Sequence, residues 1–167
     1  MRRRLSVAML AAASLIALAT VTAPVAGAAS PVFGGKIDLT FDPVTATNIC
    51  PFDVTIVSRV VGTFRIVPIP SGYLEEDTWA EQDEFTGPGG TLTSDWYHSR
   101  VGGTHDADFN LTSEFATGQL LRVTLPDGTV FKSAGLYEFD LSSDVSFGFV
   151  PTHGLSGDVE AFCAALS

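Results

Sequence analysis

Residues 121–133, LRVTLPDGTVFKS, carry the reading that decides the fold. Leu121, Val123 and Leu125 alternate with Arg122 and Thr124, the two-residue period of a strand with one buried face. Pro126-Asp127-Gly128 follows, and the Asp-Gly step supplies the turn chemistry for a reversal into Val130, Phe131, Lys132 and Ser133. The same period recurs on both sides of this hairpin. Cys50, Phe52, Val54 and Ile56 alternate with Pro51, Asp53, Thr55 and Val57, which places a cysteine on an apolar face and Phe52 in the core. Val60, Gly62, Phe64 and Ile66 form a second strand, with Ser58-Arg59 as the connection. Gly135 punctuates before Tyr137, Phe139 and Leu141. Ser142-Ser143-Asp144 then turns the chain into Val145, Phe147 and Phe149, with Phe147 a second core ring.

Further strands are expected at 37–41, 78–85, 92–98 and 107–115. Residues 68–72, with Pro68, Pro70 and Gly72, read as an exposed loop, and residues 158–166 as a short helix or a final strand. Eight to ten short strands with few long connections exclude an α/β architecture, because parallel crossovers need a dozen residues or more. The fold class is all-β: an antiparallel β-sandwich, with a closed antiparallel barrel as the alternative. No solenoid or propeller period is present.

The chain opens with MRRRLSVAMLAAASLIALATVTAPVAGAA, which reads as a secretory signal peptide over residues 1–29. Arg2, Arg3 and Arg4 are its charged region, an apolar run follows, and Ala26-Gly27-Ala28 or Gly27-Ala28-Ala29 offers small residues for cleavage. A retained membrane anchor is the alternative, but no basic stop-transfer cluster follows. Residues 30–167 then form one all-β domain, secreted or associated with the cell envelope. All nineteen acidic residues fall in it, against six basic ones, for a net charge of about −13. That balance repels phosphate backbones and anionic membrane surfaces, so neither nucleic acid nor membrane is an expected partner. It favours solubility and tolerates divalent cations or cationic partners.

Cys50 and Cys163 are the two cysteines. In an oxidising compartment they allow one intramolecular disulfide, and two buried thiols or a metal pair are the alternatives. Neither has a histidine or second cysteine nearby, which makes the metal pair poor chemistry. A bridge would tie an early strand to the last residues and play a structural part. The layout resembles that of small exported actinobacterial proteins of uncharacterised function. The residues that carry the likeness are the arginine-led leader, Cys50-x-Phe52-x-Val54, glycine-punctuated strands, and the closing Gly157, Val159, Cys163, Ala164 and Leu166. The resemblance implies secretion, an all-β fold and a Cys50–Cys163 pair, and brings no catalytic residue with it.

Chemistry is thinly represented. His98 lies in Asp95-Trp96-Tyr97-His98-Ser99-Arg100, and His105 in Gly103-Thr104-His105-Asp106-Ala107-Asp108. If residues 100–103 form a hairpin connection, His98 and His105 approach each other. Trp96, His98 and Arg100 share one face, and Tyr97 takes the other. Trp96, His98, Arg100, His105, Asp106 and Asp108 are therefore the candidate binding set, read against the simpler view of solvated polar residues beside a loop. Four convergent ligands for zinc would need an irregular turn, and no metal or cofactor is expected. Ser94 or Ser99 with a histidine and Asp95 or Asp106 would make a hydrolase inventory, but no Gly-x-Ser-x-Gly elbow supports it.

Glu75, Glu76, Asp77, Glu81, Asp83 and Glu84 surround Trp79 and precede Phe85. They read as a solvated edge strand or loop whose like charges discourage edge pairing. Calcium ligation or a carboxylate pair is the sharper alternative, without EF-hand spacing. Trp79, Trp96, Tyr73 and Tyr97 are the candidate recognition aromatics. Asn110-Leu111-Thr112 matches a glycosylation sequon and is treated as accidental. The leading functional expectation is a non-catalytic binding or envelope-associated domain, monomeric, with a protein, glycan or small-molecule partner. Its rivals are a ligand-binding barrel or hydrolase with a pocket near His98 and His105, and a secreted inhibitor acting through a loop at 68–77.

Overall fold

The computed structural model describes residues 33–140 and 149–167. Nine strands form one antiparallel sheet: β1 (Phe33–Thr40), β2 (Val44–Ala46), β3 (Val54–Ile69), β4 (Gly72–Gly87), β5 (Gly90–Thr93), β6 (Tyr97–His105), β7 (Leu111–Thr124), β8 (Val130–Glu138) and β9 (His153–Leu155). Their order is β1-β3-β4-β6-β7-β8-β9, with β2 also on β3 and β5 also on β4. The path is open from β1 to β9, so the sheet is not closed into a barrel. It is sandwich-like: residues from β3–β5 and from β7–β8 line one common core.

The all-β class and the antiparallel pairing are as expected, but three of the strands are long. β3 and β4 each run 16 residues and β7 runs 14. Ser58-Arg59 is no connection. Both lie inside β3, where Ser58 faces Asp83 and Arg59 faces Gln82 across the ladder. Residues 68–77 are not a loop either: Ile69 pairs with Gly72, leaving Pro70-Ser71 as a two-residue hairpin between long strands. Gly135 does not interrupt β8. It pairs with Gly118 on one side and Gly154 on the other, and all three have positive φ, which only glycine adopts freely. A Cβ at Gly135 would lie 1.9 Å from the His153 carbonyl oxygen, so this glycine row sets how closely β8 and β9 approach.

The hairpin at 121–133 forms as expected. Leu125 N–H donates to Thr129 O at 2.8 Å, Gly128 has φ of 84°, and Asp127 accepts from Thr129 N–H at 2.9 Å. Within β7 the register shifts between Gln119 and Leu121, and the irregularity buries Leu120 and Leu121 in two different clusters. The larger cluster contains Val54, Phe85, Leu92, Tyr97, Leu121, Val123, Phe131 and Phe149. A helix, α1 (Val159–Ala164), closes it with Phe162, Cys163 and the following Leu166. Asp158 caps this helix by accepting from Ala161 N–H at 3.0 Å. Cys163 is bonded to Cys50, with Cα atoms 5.5 Å apart, so the bridge joins positions 113 residues apart. Cys50 precedes β3 and Phe52 is only half-buried, because the strand begins at Val54. The expected strand through Val145 and Phe147 falls outside the described residues, and Phe149 sits buried in a turn.

Candidate functional site

Alternation along the paired strands separates the sheet into two faces of different chemistry. One face holds both apolar clusters, and we call it the core face. From β4 it receives Tyr73, Glu75, Asp77, Trp79, Glu81, Asp83 and Phe85; from β6 it receives Tyr97, Ser99, Val101 and His105. The opposite, open face carries Lys36, Arg59, Arg65, Arg100, Arg122 and Lys132, which are the basic residues of the chain after residue 29. Among the described residues, the core face therefore holds carboxyl groups and a histidine, but no lysine or arginine.

The acidic stretch of β4 is thus neither an edge nor solvated. β4 lies between β3 and β6, and Asp77, Glu81 and Asp83 are buried. Asp83 accepts from Tyr97 Oη at 2.7 Å and Ser58 Oγ at 2.5 Å. Burial nevertheless raises it, and burial together with the Asp83 charge pushes Glu81 well above the carboxylate range. Glu81 and Asp83 lie two residues apart on one face and share their surroundings, and Glu81 is the more strongly raised of the two. Burial and the two carboxylates in turn raise the Tyr97 hydroxyl, which stays a donor.

A second group lies further along. His105 Nε2 meets Glu75 Oε2 at 2.6 Å, and Trp79 Nε1 donates to Asp77 Oδ2 at 3.2 Å. Asp77 is raised to about 7, first by burial and then by the Glu75 charge. Glu114, from β7, is also raised to about 7 for the same two reasons. Asp77 Oδ1, Glu81 Oε2, His105 Nδ1 and Ser99 Oγ are buried without a hydrogen-bond partner. Among the described residues no group of three histidine, cysteine or acidic side chains could hold a metal ion. Reading the sequence as a solvated acidic run misses these carboxyls as a buried set. The signal is nonetheless there, since Glu75, Asp77, Glu81 and Asp83 share the parity of Trp79 and Phe85.

The candidate binding set is divided by the sheet. Residues 100–103 are not a hairpin but the middle of β6, so His98 and His105 stand seven residues apart, about 23 Å along an extended strand. They also face opposite sides: His98 is exposed on the open face and His105 is buried on the core face. Asp106 folds back to accept from Asn110 Nδ2 and from the backbone N–H groups of Asp108 and Asn110, each at 2.9 Å. Those bonds hold its carboxyl low, and it serves a turn. Asp108 is exposed and does not converge with the others. Ser99 lies on the face opposite His98, and Ser94 Oγ accepts from Asp83 N–H at 2.7 Å, so the serine–histidine inventory is not assembled. Tyr97 is buried, while Trp96 is 41% exposed with the Arg59 guanidinium 6.0 Å from its ring centroid.

Trp96, His98 and Arg100 do share the open face, and Arg100 opens onto a groove. The groove crosses β3, β4, β6 and β7, has a volume of about 360 Å³, and is lined by Thr63, Arg65, Glu76, Thr78, Arg100 and Phe115, among others. Its floor is flat because position 102 is glycine: a Cβ there would lie 2.6 Å from the Phe115 ring. Arg65 is bound to Glu76 through Nε at 2.7 Å and through its second guanidinium nitrogen. Arg100 has no acidic partner among the described residues. The groove thus offers one guanidinium free of carboxylates, threonine hydroxyls and an exposed aromatic ring.

Fold and site together define a disulfide-closed, mostly β domain built on an open antiparallel sheet with chemically distinct faces. No family model matches the chain, no curated protein matches it in sequence, and no solved structure matches its fold. No helix among the described residues is long and apolar enough to cross a membrane.

Proposed function

We propose that this protein is an exported, non-catalytic binding domain that takes a carboxylate-bearing polar ligand, of the acidic-sugar kind, in the open-face groove. The observation that carries the reading is the Arg100 guanidinium, without an acidic partner among the described residues, in one groove with Phe115 and the threonines Thr63, Thr78 and Thr117. A guanidinium selects a carboxylate by paired donors, hydroxyls match sugar hydroxyls, and an exposed ring offers a surface on which a sugar ring stacks. The leader at residues 1–29 and the disulfide support export, and the resemblance to small actinobacterial exported proteins agrees with it. Charge supports the choice of residue: Arg59, Arg65 and Arg122 on this face are paired with Asp38, Glu76 and Asp95, whereas Arg100 has no such pair among the described residues.

Titration calorimetry of the purified protein with uronic-acid oligosaccharides, and with their neutral counterparts, tests this. Binding of the acidic set should be lost in Arg100→Ala and weakened in Phe115→Ala, with melting temperature unchanged. Equal binding of neutral and acidic oligosaccharides, or full affinity in Arg100→Ala, refutes the assignment.

A further inference from the structure

β1 ends the sheet, and its outer edge has no strand beside it among the described residues. In an antiparallel ladder, the N–H and C=O of one residue point to the same neighbour, and successive residues alternate sides. Phe41 N–H donates to Ser58 O at 2.9 Å, continuing the β1–β3 register. The odd positions Phe33, Gly35, Ile37 and Leu39 therefore bond to β3. Gly34, Lys36, Asp38 and Thr40 turn their backbone groups outward, without a strand partner among the described residues. Native edges are blunted by proline, bulges or charged side chains; β1 has neither proline nor register shift along its eight residues, and its two charges, Lys36 and Asp38, are of opposite sign. On its core-facing side Phe33 and Leu39 are 40% and 46% exposed.

We propose that β1 is the interface of a two-fold homodimer, pairing antiparallel with β1 of a second copy about Ile37. The sequence singles out this register. Two-fold pairing one position lower sets Lys36 against Lys36, and one position higher sets Asp38 against Asp38. Pairing about Ile37 sets Lys36 against Asp38 twice, on the same face, and Gly34 against Thr40 twice. Every outward backbone group of Gly34, Lys36, Asp38 and Thr40 then finds a partner, which gives about eight inter-chain hydrogen bonds by the ladder rule. Opposite charges directly across a ladder stabilise it and like charges oppose it. On the other face Leu39 lies against Gly35, where the Phe64 ring covers the glycine and supplies an apolar surface. The same patch meets itself, so the contact is isologous and closes as a dimer. It departs from the expected monomer and adjoins the ligand groove, since Lys36 lies across from Thr63 and Gly34 from Arg65, two residues that line it.

The test is the solution mass of the purified protein by sedimentation equilibrium, with charge variants. The wild-type protein should be dimeric at micromolar concentration. Lys36→Asp and Asp38→Lys should each be monomeric, and the double exchange Lys36→Asp with Asp38→Lys should restore the dimer. Ile37→Cys should form an inter-chain disulfide under mild oxidation, because residues on the axis have Cα atoms about 4.5 Å apart. Leu39→Cys should not, since its symmetry mate lies about 13 Å along the strand. A monomeric wild type, a dimer indifferent to both single charge changes, or cross-linking at 39 but not 37 overturns the proposal.

Discussion

Raising the pH from 5 to 8 should destabilise this protein, and the core-face carboxyls fix the sign. Asp77 and Glu114 are raised to about 7 in the folded chain, against ordinary values of 3.8 and 4.5. Between the unfolded and folded values the native state binds more protons than the unfolded one. Stability therefore falls as pH rises through that window. Below about pH 4 both states hold the protons and the penalty is absent. Above about pH 8 both carboxyls must be charged within the fold, and the penalty is complete. A tenfold change in proton affinity between the two states corresponds to about 1.36 kcal/mol. The two groups share the charge of Glu75 and Glu114 is only partly buried, so the destabilisation is discounted to roughly 1–2 kcal/mol each. Glu81 and Asp83 are raised as well and act in the same direction.

Urea unfolding at pH 5, 6, 7 and 8 measures this, and the midpoint should fall by about 1 M over the range for slopes typical of small domains. Asp77→Asn isolates one contributor. The amide keeps an acceptor for Trp79 Nε1 and never carries charge beside Glu75. It should leave stability at pH 5 unchanged and raise it by roughly 1–2 kcal/mol at pH 8. Stability that is flat or rising from pH 5 to 8, or an Asp77→Asn variant weaker at pH 8, refutes the electrostatic account of this face.

Two further outcomes are expected from other parts of the molecule. Replacing Cys50 and Cys163 together by alanine should lower stability by about 2–5 kcal/mol, because the bridge closes a long loop in the unfolded chain; paired denaturant curves with and without the bridge read it. His98→Ala should be neutral in melting temperature, whereas His105→Ala should cost about 1–3 kcal/mol by leaving the Glu75 carboxylate without its 2.6 Å partner. A cost at His98 with none at His105 would show that the faces have been exchanged.

The strand period, the Asp127-Gly128 reversal and the cysteine pair are legible in the sequence because each rests on local chemistry. What is not legible depends on neighbours from distant sequence. Gly102-Gly103 looks like a turn until Phe115 of β7 occupies the space a side chain at 102 would need. Ser58-Arg59 looks like a break in an apolar run until Ser58 is seen donating to Asp83, twenty-five residues away. The acidic run of β4 looks like a surface for the same reason: carboxyls belong in water unless donors from elsewhere receive them. Here Tyr97, Ser58 and His105 do so. The alternation rule places each of these side chains on a face but is silent on which face is buried. For β4 that choice is set by Trp79 and Phe85, whose aromatic area drives one side inward. Glu75, Asp77, Glu81 and Asp83 share that parity and go with them. Burial of these acids is thus a consequence of a register that the aromatics impose, and a pH-dependent stability is its measurable result.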